Sequence, residues 1–182
     1  MESPQALHTH RLSSYSPRMH AGVTWDLLVH DIDIALRLFD EETPKTVNSA
    51  TGRHSCQGRT GEDTVEAELE FSGARIAALP ASRVSSRPTR RLTISEQNRT
   101  IVADLLHPSV TVYARPNQVS EQIECSEYPE PLAAQWDRFT DIIEEKFNAR
   151  AETGSILPSH ATVAAILDSA LKPLQNCGPL SS

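Results

Sequence analysis

Strict alternation of apolar and polar residues runs through the middle of the chain. From residue 64 to residue 71, apolar side chains alternate with a threonine and three glutamates, a pattern typical of a strand with one buried face. Ser72-Gly73 is a turn signal, and residues 75–84 then predict the antiparallel partner of a hairpin. Further strands are predicted at residues 5–15, 46–51, 91–95, 100–105 and 109–114.

Spacings of three and four residues predict three helices. The first has Thr24 as its N-cap and ends before Pro44. It is apolar around much of its girth, so we expect it to be deeply buried. The other two helices are predicted at residues 132–147 and 159–171. The charged residues 116–130 are expected to form a connector without regular structure.

The order of these elements predicts an α+β fold. Short connections between strands favour a largely antiparallel, open-faced sheet with the helices packed on one face. A chain of 182 residues suits one domain, which we expect at residues 1–175, followed by a frayed tail at residues 176–182. Glu66, Glu68 and Glu70 indicate that the other sheet face is exposed to water or packed on a partner.

Composition and charge exclude several classes of partner. A formal net charge of −7 argues against nucleic-acid binding, and the arginines at 87, 90 and 91 are expected to be a solvated group. The three cysteines are far apart and odd in number, which favours free thiols in a reducing cytoplasm over a zinc site or a disulfide framework. No apolar run approaches the ~20 residues that span a bilayer. We therefore expect a cytoplasmic protein with no membrane partner.

The first predicted helix carries the candidate chemistry. Asp26 and His30 are four residues apart, so on a helix both side chains project from one face. A carboxylate beside an imidazole can orient it and raise its pKa, as a general acid–base requires. The alternative is an ordinary helix start, where the macrodipole favours acidic residues and the histidine is simply hydrogen-bonded. Spacing alone favours that alternative.

Residues 22–33, Gly-Val-Thr-Trp-Asp-Leu-Leu-Val-His-Asp-Ile-Asp, resemble a segment of a known enzyme family. It is similar to the segment that opens the C-terminal domain of the Gfo/Idh/MocA oxidoreductases, the relatives of glucose–fructose oxidoreductase and inositol dehydrogenase. The resemblance covers roughly residues 7–171. Its further motifs follow in order at residues 46–50, 62–64 and 69–73, at residues 81–85 with Arg90, and at Pro131-Leu132.

The resemblance implies roles for individual residues. Asp26 and His30 would line a sugar site beside the nicotinamide of NAD or NADP, with His30 as the acid–base and Asp26 as a positioning group, while Asp33 would support structure. The Ser82-Arg83 pattern resembles a variant found among sugar and nucleotide-sugar dehydrogenases, which implies a substrate-binding Arg83. The alternative, with equal weight, is that Arg83 is a strand residue that forms an ion pair and binds no substrate. The resemblance also implies a homo-oligomer formed through the open sheet face.

The chain departs from the family at the cofactor site. Its seven glycines are spread singly, so no Gly-x-Gly-x-x-Gly loop exists, and none of its three lysines lies in a Glu-Lys-Pro motif. We therefore expect this chain alone to bind neither NAD nor NADP and to lack redox activity. A dinucleotide-binding (Rossmann) domain would come from a separate chain, or would have been lost from a truncated gene.

Two other interpretations remain open. A non-catalytic binding or scaffold protein would retain the fold without the activity. A metal site is a weaker alternative, and we assign no metal, because no further ligands occur at diagnostic spacing. The side chains considered for it are His8, His10 and His20, or Asp26, His30 and Asp33.

Overall fold

The computed structural model describes residues 3–14, 21–40, 43–54, 61–114, 118–125 and 131–171. Within them the chain forms one sheet of eight strands in the order β2-β3-β4-β1-β5-β6-β7-β8. The expected tail at residues 176–182 lies outside the described residues. The strands are β1 Ala6–Leu12, β2 Thr46–Gly52, β3 Thr64–Glu70, β4 Ile76–Ser82, β5 Thr89–Ser95, β6 Arg99–Asp104, β7 Ser109–Ala114 and β8 Gln118–Glu124.

Every neighbouring pair of strands is antiparallel except β1 and β4. The parallel pair requires a long crossover, which the first helix and the strands β2 and β3 supply between β1 and β4. The expected α+β fold with a largely antiparallel sheet is confirmed. The position of β1 at the centre of the sheet was not predicted from the sequence.

The predicted hairpin is present as β3 and β4. Its turn places Gly73 at φ 71° and Ala74 at φ 56°, and glycine adopts this left-handed conformation without steric cost. Arg75 fixes the turn to the helical layer, because its Nη1 donates to the carbonyl oxygen of Phe39 at 2.8 Å and its Nε to that of Ser72 at 2.7 Å. Arg75 thereby holds the turn of the hairpin against the C-terminal end of the first helix.

The first and the last helix of the chain pack on one face of the sheet, as expected. A π-helical turn, Thr24–Leu28, continues into α1, Val29–Phe39, and the chain later forms α2, Pro131–Ile143, and α3, Ala149–Leu171. Helix α3 lies against β2, where Ser49 Oγ donates to the carbonyl oxygen of Ile166 at 2.6 Å. The core consists of buried apolar residues from β1, β3, β4, α1 and α3, among them Leu7, Ile32, Leu69, Leu79 and Val163.

Several predicted boundaries were wrong. Residues 118–124, expected to be part of a connector, form β8, because their backbone pairs with β7 while charged side chains occupy the sheet edge. Helix α3 begins at residue 149 rather than 159, since Pro158 is accommodated inside it. Helix α2 ends at Ile143, before Phe147. Helix α1 is buried on one face only, and Arg37 is exposed on it.

Candidate functional site

The site is organised by the π-helical turn that carries Asp26. Two groups of Glu62 hold its start: the carbonyl oxygen accepts from Val23 N at 3.0 Å, and Oε1 accepts from Thr24 N at 2.8 Å. A carboxylate at a helix N-terminus satisfies a free N–H group and opposes the positive end of the dipole. The prediction that Thr24 caps the helix was wrong, because its own Oγ1 is buried and has no partner among the described residues.

Two glycines allow the segments around the turn to meet. A Cβ on Gly61 would lie 2.5 Å from the Cα of Gly22, closer than any real contact of this kind. A Cβ on Gly22 would in turn lie 2.2 Å from the Glu62 carboxylate. The backbone approach therefore depends on Gly61, whereas a side chain on Gly22 would displace the Glu62 carboxylate from the helix start.

Arg83 and Asp26 form the polar centre of the site. Arg83 follows the end of β4, and its Nη2 lies 3.5 Å from Asp26 Oδ2. Only 6% of the Arg83 side chain is exposed, compared with 21% for Asp26. Arg83 Nε is buried and has no partner among the described residues. The ion pair predicted as one alternative for Arg83 is therefore present, and its substrate-binding role stays a prediction.

His30 lies on the first turn of α1 and is exposed. Within the described ranges, no hydrogen bond joins it to Asp26, whose carboxylate instead faces Arg83. The physical reason is the π-helical turn: its hydrogen bonds run from i to i+5, so a spacing of four residues no longer equals one turn. The imidazole is accessible, but the carboxylate does not orient it in the way the sequence suggested.

A buried ion pair near the site was missed at the sequence level. Arg11 Nε on β1 donates to Asp31 Oδ1 on α1 at 2.9 Å, and both side chains are almost fully buried. A signal for both residues was present. Asp31 follows Leu28 by three residues and precedes Ala35 by four, which places it on the buried face of the helix. Arg11 alternates with Leu7 and Thr9 on the buried face of β1.

An exposed aromatic pair borders the turn. The rings of Trp25 and His160, on α3, have centroids 5.7 Å apart, and 41% of Trp25 is exposed. The Nδ1 of His160 lies 3.0 Å from the carbonyl oxygen of Ile156. This contact could not be predicted from the sequence, because the two residues are distant along the chain. Their ring contact joins the π-helical turn to α3.

Within the described ranges, no group of three or more His, Cys, Asp or Glu side chains could hold a metal ion. His20 lies outside those ranges, and Asp33 accepts from Arg37 Nε at 2.8 Å. The helix N-terminus that follows β1 is occupied by the Glu62 carboxylate rather than free for a phosphate. No helix among the described residues is long and apolar enough to cross a membrane.

Comparison with known proteins identifies the family. A family model described as the GFO/IDH/MocA C-terminal domain matches residues 3–102, which is more than half of the chain. The chain belongs to the GFO/IDH/MocA family. The match includes every strand from β1 to β5 and the π-helical turn that carries Asp26. It also includes His30 on α1 and Arg83 after β4.

Two of the proteins similar to this chain are named as dehydrogenases of a sugar or a nucleotide sugar. UDP-N-acetylglucosamine 3-dehydrogenase of Acidithiobacillus ferrooxidans is 32% identical over 114 residues, which is 62% of this chain and 35% of that protein. A structure of that enzyme superposes with a TM-score of 0.78 at 24% identity, covering 92% of this chain and 54% of the other. A levoglucosan dehydrogenase solved with NADH and levoglucosan superposes with a TM-score of 0.73 at 15% identity. The match covers 92% of this chain and 56% of the other.

A 3-ketoreductase from Actinomadura kijaniata, solved with NADP, has the same fold, with a TM-score of 0.77 at 13% identity. It is matched over 92% of this chain and 52% of its own length. The chain therefore spans about half the length of these solved relatives. Its fold is that of the C-terminal half of a GFO/IDH/MocA enzyme.

Proposed function

We propose that this chain is the substrate-binding half of an NAD(P)-dependent sugar or nucleotide-sugar dehydrogenase, and that it is inactive without a dinucleotide-binding domain. Membership of the GFO/IDH/MocA family supports the proposal, as do relatives whose names specify sugar substrates. The Glu62-capped helix supports the need for a second domain, because the start of that helix is not free for a pyrophosphate. The proposal includes the cytoplasmic location expected from the cysteines.

The observation that carries the proposal is the buried Arg83 donor at the end of β4. A buried N–H group without a partner costs about 1–3 kcal/mol, so a ligand oxygen that accepts from Arg83 Nε would gain this amount on binding. Sugar hydroxyls and phosphates both provide such oxygens. Asp26 holds the guanidinium in place from one side, and Trp25 offers an exposed ring on which a sugar could pack.

His30 is the proposed acid–base. Its side chain is exposed, and it lies within two helical turns of Asp26 along the chain. A sugar held by Arg83 and Asp26 could therefore reach its imidazole. The bound nicotinamide, supplied with the second domain, would accept hydride from the carbon whose hydroxyl loses its proton. The imidazole would take that proton, a contribution typically worth about 10²–10⁴-fold in rate.

Binding is the first test. Isothermal titration of the purified chain with UDP-N-acetylglucosamine should show binding, and Arg83→Gln should weaken it about 10-fold or more, as expected for loss of a charged hydrogen bond. Arg87→Gln is the matched control, because Arg87 is exposed beyond the site, and it should leave affinity unchanged. Equal affinities for all three proteins would reject the role of Arg83.

Turnover is the second readout of the same proposal. The chain is mixed with a separately purified dinucleotide-binding domain of the 3-dehydrogenase relative and NAD, and formation of NADH is followed at 340 nm. His30→Asn should lower the restored rate about 100-fold or more while sugar affinity is retained. His107→Asn, in the exposed turn between β6 and β7, is the control.

The alternative is a binding or scaffold protein that retained the fold. The helix start that Glu62 occupies is equally consistent with such a protein and with an incomplete enzyme. Sugar binding that persists while no dinucleotide-binding domain restores turnover would select this alternative. A homo-oligomer formed through the open sheet face belongs to both versions of the proposal, since that face is not covered by the helices.

A further inference from the structure

Glu62 and Asp63, the two residues that precede β3, hold the backbone on both sides of the proposed sugar site. Glu62 binds the start of the π-helical turn, where its carbonyl oxygen accepts from Val23 N and its Oε1 accepts from Thr24 N. Asp63 binds the segment that follows β4, because its carbonyl oxygen accepts from Arg83 N at 3.0 Å. One dipeptide thus connects the two segments that carry the site.

Asp63 is itself fixed to the sheet. It lies two residues before Val65 in the buried series of β3, and only 3% of it is exposed. Its N–H donates to the carbonyl oxygen of Gly52 at 2.8 Å, and its Oδ2 accepts from His54 N at 2.7 Å. Asp63 therefore ties the C-terminal end of β2 to the segment that carries Arg83.

The contact between Arg83 and Asp26 is too long to fix the two side chains by itself. Its N–O distance of 3.5 Å exceeds the range of about 2.7–3.2 Å that is typical of an N–H···O hydrogen bond. Asp26 follows Thr24 by two residues, so the bond from Thr24 N to Glu62 fixes the backbone that carries Asp26. The two side chains are thus placed by their backbones, and both backbones are held at Glu62 and Asp63.

We propose that Glu62 is a positioning residue of the sugar site, which acts on the sugar by placing the Asp26 carboxylate opposite the Arg83 guanidinium. The inference rests on the proposed function, in which Arg83 and Asp26 hold the sugar. Polar groups of a binding site must stay within about 0.5 Å of their productive positions, and neighbouring residues supply this precision. Loss of the Glu62 contacts should therefore weaken sugar binding as well as loosen the helix start.

Sugar affinity of Glu62 variants is the first test. Glu62→Ala should weaken binding of UDP-N-acetylglucosamine in isothermal titration about tenfold, because the Asp26 carboxylate moves. Glu62→Gln retains an oxygen acceptor and should stay within about twofold of the wild type. Ser49→Ala is the matched control, because it removes a hydrogen bond between β2 and α3 outside the site, and its affinity should be unchanged. Urea denaturation checks that every variant is folded at the temperature of the titration.

Gly22 provides an independent way to move the same carboxylate. A Cβ on Gly22 would have the two Oε atoms and the Cδ of Glu62 as its three nearest atoms. Gly22→Ala should therefore displace the carboxylate from the helix start and weaken sugar binding by a factor similar to that of Glu62→Ala. In the Glu62→Ala background it should have no further effect, because no carboxylate remains to be displaced.

A double-mutant cycle with Asp26 distinguishes positioning from a general loss of structure. In the Asp26→Ala background, Glu62→Ala should change sugar affinity by less than about twofold, because the side chain through which it acts is absent. A purely structural contribution would weaken binding by the same factor in both backgrounds. Equal factors would therefore overturn the proposal.

The Arg83 guanidinium reports the same geometry without a sugar. In NMR spectra of the isotope-labelled chain, Glu62→Ala should shift the Arg83 Nε–H resonance towards its position in Asp26→Ala. Glu62→Gln and Ser49→Ala should leave it at the wild-type position. This shift in a chain that binds no sugar would support the positioning and reject the proposed function. A resonance that Glu62→Ala does not move would overturn the positioning, whatever the sugar affinity.

Discussion

Two arginine–aspartate pairs join the helices to the sheet, and they differ in burial. Arg11 and Asp31 are closed off from water, whereas Asp26, beside Arg83, is partly exposed. A buried pair is sensitive to the loss of one partner, because the charge that remains is left in a poorly solvated place. Of these four side chains, Asp26 is the most exposed, as the proposed sugar site requires. Residues of the same types thus serve the fold in one place and the proposed site in the other.

The buried pair gives a prediction for stability. Asp31→Asn should lower the free energy of unfolding by about 3–5 kcal/mol, because it leaves the Arg11 guanidinium without its counter-charge. The double variant Arg11→Met/Asp31→Leu should regain most of this loss, since it removes both charges. Urea denaturation measures both. Asp33→Asn, which breaks the more exposed pair with Arg37, should change stability by no more than about 1 kcal/mol. Equal losses for Asp31 and Asp33 would contradict the assignment.

At the scale of elements, the start of the first helix shows what local sequence cannot specify. Thr24 has the residue type and position of an N-cap, yet the acceptor comes from Glu62, 38 residues later. Replacing Thr24 by valine should leave stability nearly unchanged, because its buried hydroxyl has no partner to lose.

Glu62→Ala, by contrast, should cost about 0.5–2 kcal/mol, the usual value of a helix cap. Glu62→Gln retains an acceptor and should cost less. The measurement is urea denaturation of the three variants beside the wild type. A large loss for Thr24→Val with none for Glu62→Ala would reverse the assignment of the cap.

Local pattern predicted most of the fold for a physical reason. Alternation is a property of one strand, so it located β3 and β4 and the turn between them. The central, parallel position of β1 depends on pairing with residues about 70 positions away, which no local period records. The same limit applies to the site. The motif around Asp26 and His30 was recognisable, but the contacts of Asp26 with Arg83 and of Asp31 with Arg11 arise only when distant segments meet.

At the scale of the whole molecule, the core lies towards one side of the sheet. Fully buried side chains come from β1, β3 and β4 and from the helices α1 and α3. The residues of β6 and β7 are half-buried, and α2 exposes a row of large apolar side chains: Leu132, Trp136, Phe139 and Ile143. Burial of apolar surface is the main stabilising contribution to folding, so stability should decrease from the β4 side to the β8 side.

Hydrogen exchange should reveal this gradient. Amides of β1 and β4 open only with the whole domain, whereas α2 buries little and can open alone, so its amides should exchange at least about tenfold faster. Mass spectrometry of dilute protein measures both segments in one experiment. Equal protection of α2 and β4 would contradict the gradient and show that the domain opens as one cooperative unit.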